Sequence, residues 1–250
     1  MKTEWDYTEL ATAYLKRPDY APSALNEIFQ YANLKSGDKV CDIGAGVAHL
    51  TLPLAKFGCI VSAVEPNDAM RALGMERTKH LSNVTWSEGT GEDTRQASNS
   101  FDMVTFGSSF NVCDRQAALK ESYRLLKSKG SFVCLWNHRD LNDPVQSQIE
   151  SIIKQEIPSY EYGTRREDQT GVIAESHLFE EAKLIQGTIL WKQSIDDTIE
   201  AWRSHSTLER QAKEKFSTIV AKIAEFLQSL HKESIEIPYT THAWIARRID

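Results

Sequence analysis

From about residue 38 to residue 137 the chain alternates short apolar runs with amphipathic stretches, and this alternation restricts the possible folds more than any other feature. KVCDI (39–43), CIVSAVE (59–65), NVTWSEG (83–89), FDMVTFG (101–107) and SFVCLW (131–136) read as five strands. Between them, helices are expected from Ala48 to Phe57, from Asn67 to His80 and from Asp114 to Lys127. Short apolar strands separated by helices bury both of their faces in a parallel sheet covered on either side.

The pattern changes after Asn137. Residues 138–183 are helical and loop-like, with Pro144 and Pro158 and a polar run around Arg165-Arg166. LIQGTILWK (184–192) reads as a strand, and Phe216, Ile219, Val220, Ile223, Phe226, Leu227 and Leu230 have the spacing of an amphipathic helix. THAWIARRI (241–249) is expected to be the last strand. No internal repeat or low-complexity linker interrupts the chain, which indicates one domain over 1–250 with an inserted cap.

A net charge of -6 argues against a nucleic-acid binder, whose footprint is a basic stripe. No apolar run approaches the ~20 residues that span a bilayer, and MKTEWDYTEL has no signal-type apolar core. Cys41, Cys59, Cys113 and Cys134 have neither metal-ligand nor C-x-x-C spacing, so no metal is expected and the compartment reads as cytoplasm.

Chemistry enters at the turn Asp42-Ile43-Gly44-Ala45-Gly46, which follows the first strand and leads into a helix. Glycines there allow a ligand to approach the backbone, at the place where open α/β sheets bind nucleotide-like cofactors. The second strand ends in Glu65, nineteen residues after Gly46, where a carboxylate can accept hydrogen bonds from two ribose hydroxyls. An NAD site would want a third small residue, but the run Gly44-Ala45-Gly46-Val47-Ala48-His49 places histidine there. Asp42 would also be a poor neighbour for a pyrophosphate. S-adenosylmethionine (SAM), which has none, fits better.

The order of motifs resembles a class I SAM-dependent methyltransferase of the methyltransferase type 11 group, in the branch that includes trans-aconitate methyltransferase-like proteins. VCDIGAGVAHLTLPLA (40–55) resembles the first motif and AVEPNDAM (63–70) the acidic loop. GTGEDT (89–94) is similar to the segment flanking the adenine, and FDMVTFGSSFNVCD (101–114) to the fourth-strand motif. ALKESYRLLKSKGSFVCLW (118–136) resembles the following helix, turn and strand.

The resemblance implies a Rossmann-like, seven-stranded, mostly parallel sheet with helices on both faces and a helical cap insertion after strand five. Its last two strands would form an antiparallel, hairpin-like edge. The implied divisions are N-terminal lid helices (1–37), a SAM-binding core (38–137), a substrate cap (138–183 and 193–235) and the final strands. Asp42, Gly44, Ala45 and Gly46 would line the methionine part of the cofactor, and Glu65 with Pro66 would hold the ribose. Asn67, Met70, Gly91, Glu92 and Asp93 would surround the adenine, and Phe106 and Gly107 would border the sulfonium. The acceptor would be a small molecule, and the protein a monomer or homodimer.

The sequence departs from its relatives after the fourth strand. Where the branch often reads A-F-H-W-F-D, residues 109–114 read Ser-Phe-Asn-Val-Cys-Asp, so Asn111 stands in the histidine position. Asparagine can orient an acceptor but takes no proton at neutral pH. Asp114 fits better as the N-cap of the next helix. His138, at the end of the fifth strand, is the best-placed candidate base, although a histidine beside Arg139 and Asp140 also suits a structural hydrogen bond. Tyr14, Arg17 and Tyr20 resemble an element that folds over the cofactor. With Phe110, Arg139 and Arg165 they complete the candidate acceptor site. A SAM-binding protein without chemistry remains the main rival, and an NAD-dependent oxidoreductase is disfavoured by His49.

Overall fold

The computed structural model describes residue 8 and residues 11–250. The start of the expected lid, residues 1–7, 9 and 10, lies outside the described residues. Seven strands form one sheet: β1 (Lys39–Ile43), β2 (Ile60–Val64), β3 (Val84–Ser87), β4 (Phe101–Gly107), β5 (Leu126–Arg139), β6 (Lys183–Ser194) and β7 (Ser234–Arg247). Their order is β3-β2-β1-β4-β5-β7-β6, and only β7 runs against its neighbours. β1 has β2 on one side and β4 on the other, so the topological switch point opens at the carboxyl end of β1.

The helices of the first half are α1 (Ala11–Tyr14), α2 (Pro22–Tyr31), α3 (Thr51–Phe57), α4 (Asp68–Thr78) and α5 (Arg115–Leu125). Those of the second half are α6 (Pro144–Glu156), α7 (Thr170–Glu175), α8 (Ile195–Arg203), α9 (Ser206–Ala212) and α10 (Phe216–Ser229). Local chemistry sets several of their ends. Asn67 caps α4 by accepting the Met70 N–H, Asp114 caps α5 through the Ala117 N–H, and Ser194 caps α8 through the Asp197 N–H. The helix expected from Ala48 starts three residues later, at Thr51, because Ala48 has φ +75° and cannot continue a right-handed turn.

One face of the sheet packs Val40, Val61, Met103, Val133 and Leu135 against α2 and α3. The other packs Cys41, Val104, Phe106, Phe132 and Cys134 against α5 and α7. α2 therefore belongs to the core layer and not to a lid: its Ala24, Leu25 and Ile28 are buried in the first cluster. It can lie that close because a Cβ at Gly187 of β6 would meet the Ala24 nitrogen at 2.7 Å. Among the described residues of the expected lid, only the segment around residues 11–20 borders the site.

The late strands also differ from expectation. β7 starts at Ser234, seven residues early, because Ile235, Ile237, Tyr239 and Thr241 alternate inward and extend the strand beneath the cap. Pro238 is tolerated because β5 ends with Arg139 opposite Tyr239, and the Pro238 carbonyl accepts the Asp140 N–H. β6 and β7 pair antiparallel but are not a hairpin: α8, α9 and α10 join them, and β7 lies between β5 and the edge strand β6. The cap has its own core, where Ile149, Ile153, Trp202, Leu208, Ile219 and Ile223 pack on Ile235, Ile237 and Tyr239. Among the described residues no helix is long and apolar enough to cross a membrane.

Candidate active site

The carboxyl ends of β1, β2, β4 and β5 open on a cavity of about 560 Å³ roofed by the N-terminal segment and the cap. Its floor is the glycine turn. The Gly44 and Ala45 N–H groups both donate to the Val64 carbonyl, pinning the turn to β2. Gly44 has φ +65°, and a Cβ there would lie 2.4 Å from the Ser109 Cβ. Ser109 Oγ in turn donates to the Ile43 carbonyl at 2.6 Å, so the turn is pressed against the end of β4. Gly46 has φ +55°, and its nearest neighbour would be Met70 Cε at 3.7 Å, which leaves its backbone open to a ligand.

Asp42 lies beneath the turn as a brace. Its two carboxylate oxygens accept Thr51 Oγ1 at 2.6 Å and Thr105 Oγ1 at 2.9 Å, joining α3 to β4. Burial pushes its carboxyl up to about 6, against the pull of those two hydroxyls. Glu65 is held differently: Oε2 accepts the Gly46 N–H at 2.8 Å and Oε1 the Asn67 N–H at 2.9 Å. A carboxylate has about four lone-pair sites, so Glu65 keeps acceptor capacity for further hydroxyls. Burial raises its pKa, and the two backbone donors oppose the rise.

Pro66, Asn67, Met70, Gly91, Glu92 and Gly107 line the same cavity. Three expected residues do not. Asp93 is exposed and turned away, its carbonyl accepting the Thr90 N–H. Phe106 and Phe110 are fully buried on the opposite face of the sheet, with ring centroids 5.4 Å apart and both against Phe132. Alternation along β4 sends Phe106 into that cluster, while Thr105 points to the Asp42 side and Gly107 lines the cavity.

The far end of the cavity is lined by Tyr14, Arg17, Tyr20, Asn111, Trp136, Asn137, Arg139, Arg165, His205 and Tyr239. Asn111 Oδ1 accepts the Trp136 indole N–H at 2.9 Å, so the amide NH₂ is what Asn111 offers the cavity. Tyr20 Oη pairs with Ser108 Oγ at 3.1 Å, and burial raises its pKa. The Arg17 guanidinium lies 3.6 Å from the Tyr14 ring centroid and donates to the Ser204 carbonyl, closing the N-terminal segment onto the cap.

His138 lies outside the cavity. Its Nε2 donates to the Arg165 carbonyl at 2.9 Å. Burial, with Arg166 and His242 close by, holds its pKa down to about 3. It ties the cap to β5, and the expected base is not at the site.

From the sequence His49 has no assigned place in the site, and His205 is one undecided residue of the cap. His49 Nε2 donates to the Tyr14 carbonyl at 2.9 Å and Nδ1 faces Asp19 Oδ1 at 3.2 Å, latching the N-terminal segment over the glycine turn. The signal was present, since a histidine stands where a small residue suits a dinucleotide. His205 is brought in by the cap fold, and no local motif announces it.

One antiparallel strand between β5 and β6, with an acid-and-glycine cleft at the switch point, defines a class I SAM-dependent methyltransferase fold. Residues 41–134 match the family model described as a methyltransferase domain. Demethylmenaquinone methyltransferase of Staphylococcus haemolyticus is 37% identical over 107 residues, covering 41% of this chain and 45% of that protein. The chain thus spans less than half the length of the curated relative. An uncharacterized methyltransferase of Schizosaccharomyces pombe is 23% identical over 232 residues, covering 89% and 87% of the two chains. Among solved structures, phosphoethanolamine N-methyltransferase 2 of Haemonchus contortus, in complex with S-adenosyl-L-methionine, aligns with a TM-score of 0.56 at 16% identity. That alignment covers 96% of this chain and 56% of the other. These likenesses extend to the fold and the domain, not to a branch within the family.

Proposed function

We propose that this chain transfers the methyl group of S-adenosylmethionine to a small molecule. The observation that carries the reading is the Glu65 carboxylate at the end of β2, held by the Gly46 N–H at the edge of the cavity. Glu65 would take the ribose hydroxyls, Gly44, Ala45 and Gly46 the methionine part, and Met70 with Gly91 would border the adenine. When bound, the cofactor supplies a methyl group on a sulfonium, which leaves readily.

This chain's residues have three tasks: to align an acceptor, to exclude water and to hold both ligands still. Such positioning can supply ~7–11 kcal/mol of the barrier. Exclusion of water falls to the roof, through the His49 latch and the Arg17–Ser204 hydrogen bond. The same roof favours a small acceptor over a macromolecule.

Neither histidine of the walls has a spare basic nitrogen. His205 Nδ1 already accepts the Leu208 N–H, and both nitrogens of His49 are engaged. With Asn111 in place of a histidine, the acceptor atom must arrive already able to attack. A carboxylate oxygen or an unprotonated amine meets that requirement.

Calorimetry with S-adenosylhomocysteine, followed by a tritiated-methyl screen over small acids, amines and phenols, tests this reading. Micromolar binding and labelled product are expected. Binding without product from any acceptor would support a regulatory protein, and no binding would end the reading altogether.

A further inference from the structure

The two ends of the cavity carry opposite charge. Asp42, Glu65, Glu92 and Asp114 all stand at the glycine end, and each already accepts hydrogen bonds from the protein. At the cap end Arg17, Arg139 and Arg165 line the wall, and among the described residues none of the three forms an ion pair. They come from the N-terminal segment, the end of β5 and the cap loop, so the fold has gathered them from across the chain.

Three donors here are shielded from solvent and have no acceptor: Arg139 Nε, Arg165 Nε and His205 Nε2. His205 Nδ1 accepts the Leu208 N–H, so the ring's proton sits on Nε2. An orphaned buried donor destabilises the fold, and more so when it is charged. Ten side-chain polar atoms among the described residues are buried without a partner, and the three that belong to residues lining this cavity are all donors, which points to a missing acceptor there. Aromatic faces hold all three cations in place, Arg17 on Tyr14 among them. Arg139 lies 4.2 Å from the Trp202 ring centroid and 5.6 Å from that of Tyr239, and Arg165 lies 5.5 Å from that of Tyr162.

We propose that Arg17, Arg139 and Arg165, with the His205 Nε2–H, form a clamp for an oxyanion carried by the methyl acceptor, a carboxylate or a phosphate. The planar guanidinium fork matches both groups. Burial and the neighbouring cations already push the Arg165 guanidinium down to about 10, a strain that a bound anion would relieve. The word acceptor rests on the methyl-transfer reading, but the clamp itself does not.

The test measures binding to the full chain, with and without S-adenosylhomocysteine. The probes are small mono- and dicarboxylates and phosphate monoesters, each beside its neutral amide or alcohol. At least one anion should bind tenfold or more tightly than its neutral partner. Arg165→Gln should weaken that anion about tenfold or more while leaving S-adenosylhomocysteine affinity within about threefold. Arg139→Lys, which keeps the charge but loses the fork, should weaken it less.

The ligand-free unfolding temperature supplies a second readout. Removing an unpaired buried cation should leave it unchanged or raised in Arg165→Gln, whereas a purely structural arginine would lower it. Equal binding of anions and neutral partners, no anion binding, or a lowered unfolding temperature with anion affinity intact would each overturn the clamp. If S-adenosylhomocysteine fails to bind while the anion preference persists, the methyl-transfer reading falls and the clamp stands.

Discussion

The glycine end and the cap end of the cavity are built on opposite principles. At the glycine end nearly every polar group has a protein partner: Asp42 takes two threonine hydroxyls, Glu65 two backbone N–H groups, and Asn67 and Asp114 cap their helices. At the cap end, donors on Arg139, Arg165 and His205 are buried without acceptors. A saturated network is rigid and keeps its shape whether or not a ligand is present. An unsaturated one is costly until a ligand arrives, and that cost makes it selective. The first end suits a cofactor that always has the same shape; the second suits discrimination among acceptors.

If the glycine end is rigid, filling it should be disastrous. Gly44→Ala places a Cβ on Ser109 and forces a left-handed backbone on alanine. A loss of about 2–5 kcal/mol of stability is expected, with loss of S-adenosylhomocysteine binding, in urea melts and calorimetry. Wild-type binding in this variant would show that the turn yields.

The Asp42 brace should reveal itself through pH. Its carboxyl is raised from 3.8 to about 6 by burial, so the folded chain binds that proton more tightly than the unfolded one. Stability from this group is complete below about pH 4 and is lost as pH rises through about 6, by roughly 3 kcal/mol. Asp42→Asn should remove that drop, so the difference in unfolding free energy between variant and wild type changes by this amount between the two pH values. A pH-independent difference would mean that Asp42 is charged throughout.

Glu65→Gln addresses ligand binding and also the frame, because an amide has one acceptor oxygen for the two backbone N–H groups that Glu65 holds. It should weaken S-adenosylhomocysteine about 10- to 100-fold, the value of one or two charge-assisted hydrogen bonds, and lower the unfolding temperature by less than Gly44→Ala does. Equal affinity would move the ribose elsewhere. The smallest effect is expected at His138, which sits behind the wall. His138→Gln can still donate to the Arg165 carbonyl and should change methyl transfer by no more than about threefold. Abolished turnover there would restore His138 as a base.

Much of the glycine end is legible in the chain because its parts are near one another in sequence. The turn follows its strand directly, Glu65 ends the next strand, and Asn67 and Asp114 precede the helices that they cap. The misreadings have geometric causes. Phe106 stands one residue from Gly107, yet the pleat sends it to the opposite face. His138 fails because its ring is taken up by the Arg165 carbonyl and the His242 ring. From the sequence α2 reads as part of a lid because its apolar face does not say what covers it; Gly187, more than 150 residues away, lets it dock on the sheet.

The amino-acid sequence by itself determined the alternating sheet, the strand-end acid and the glycine turn, since periodicity and local backbone preference act over a few residues. Only the tertiary structure decided that Arg17, Arg139, Arg165 and His205 share one wall, and that no carboxylate among the described residues pairs with the three arginines. Charge balance inside a cavity depends on which distant segments converge there, and spacing along the chain carries no record of that.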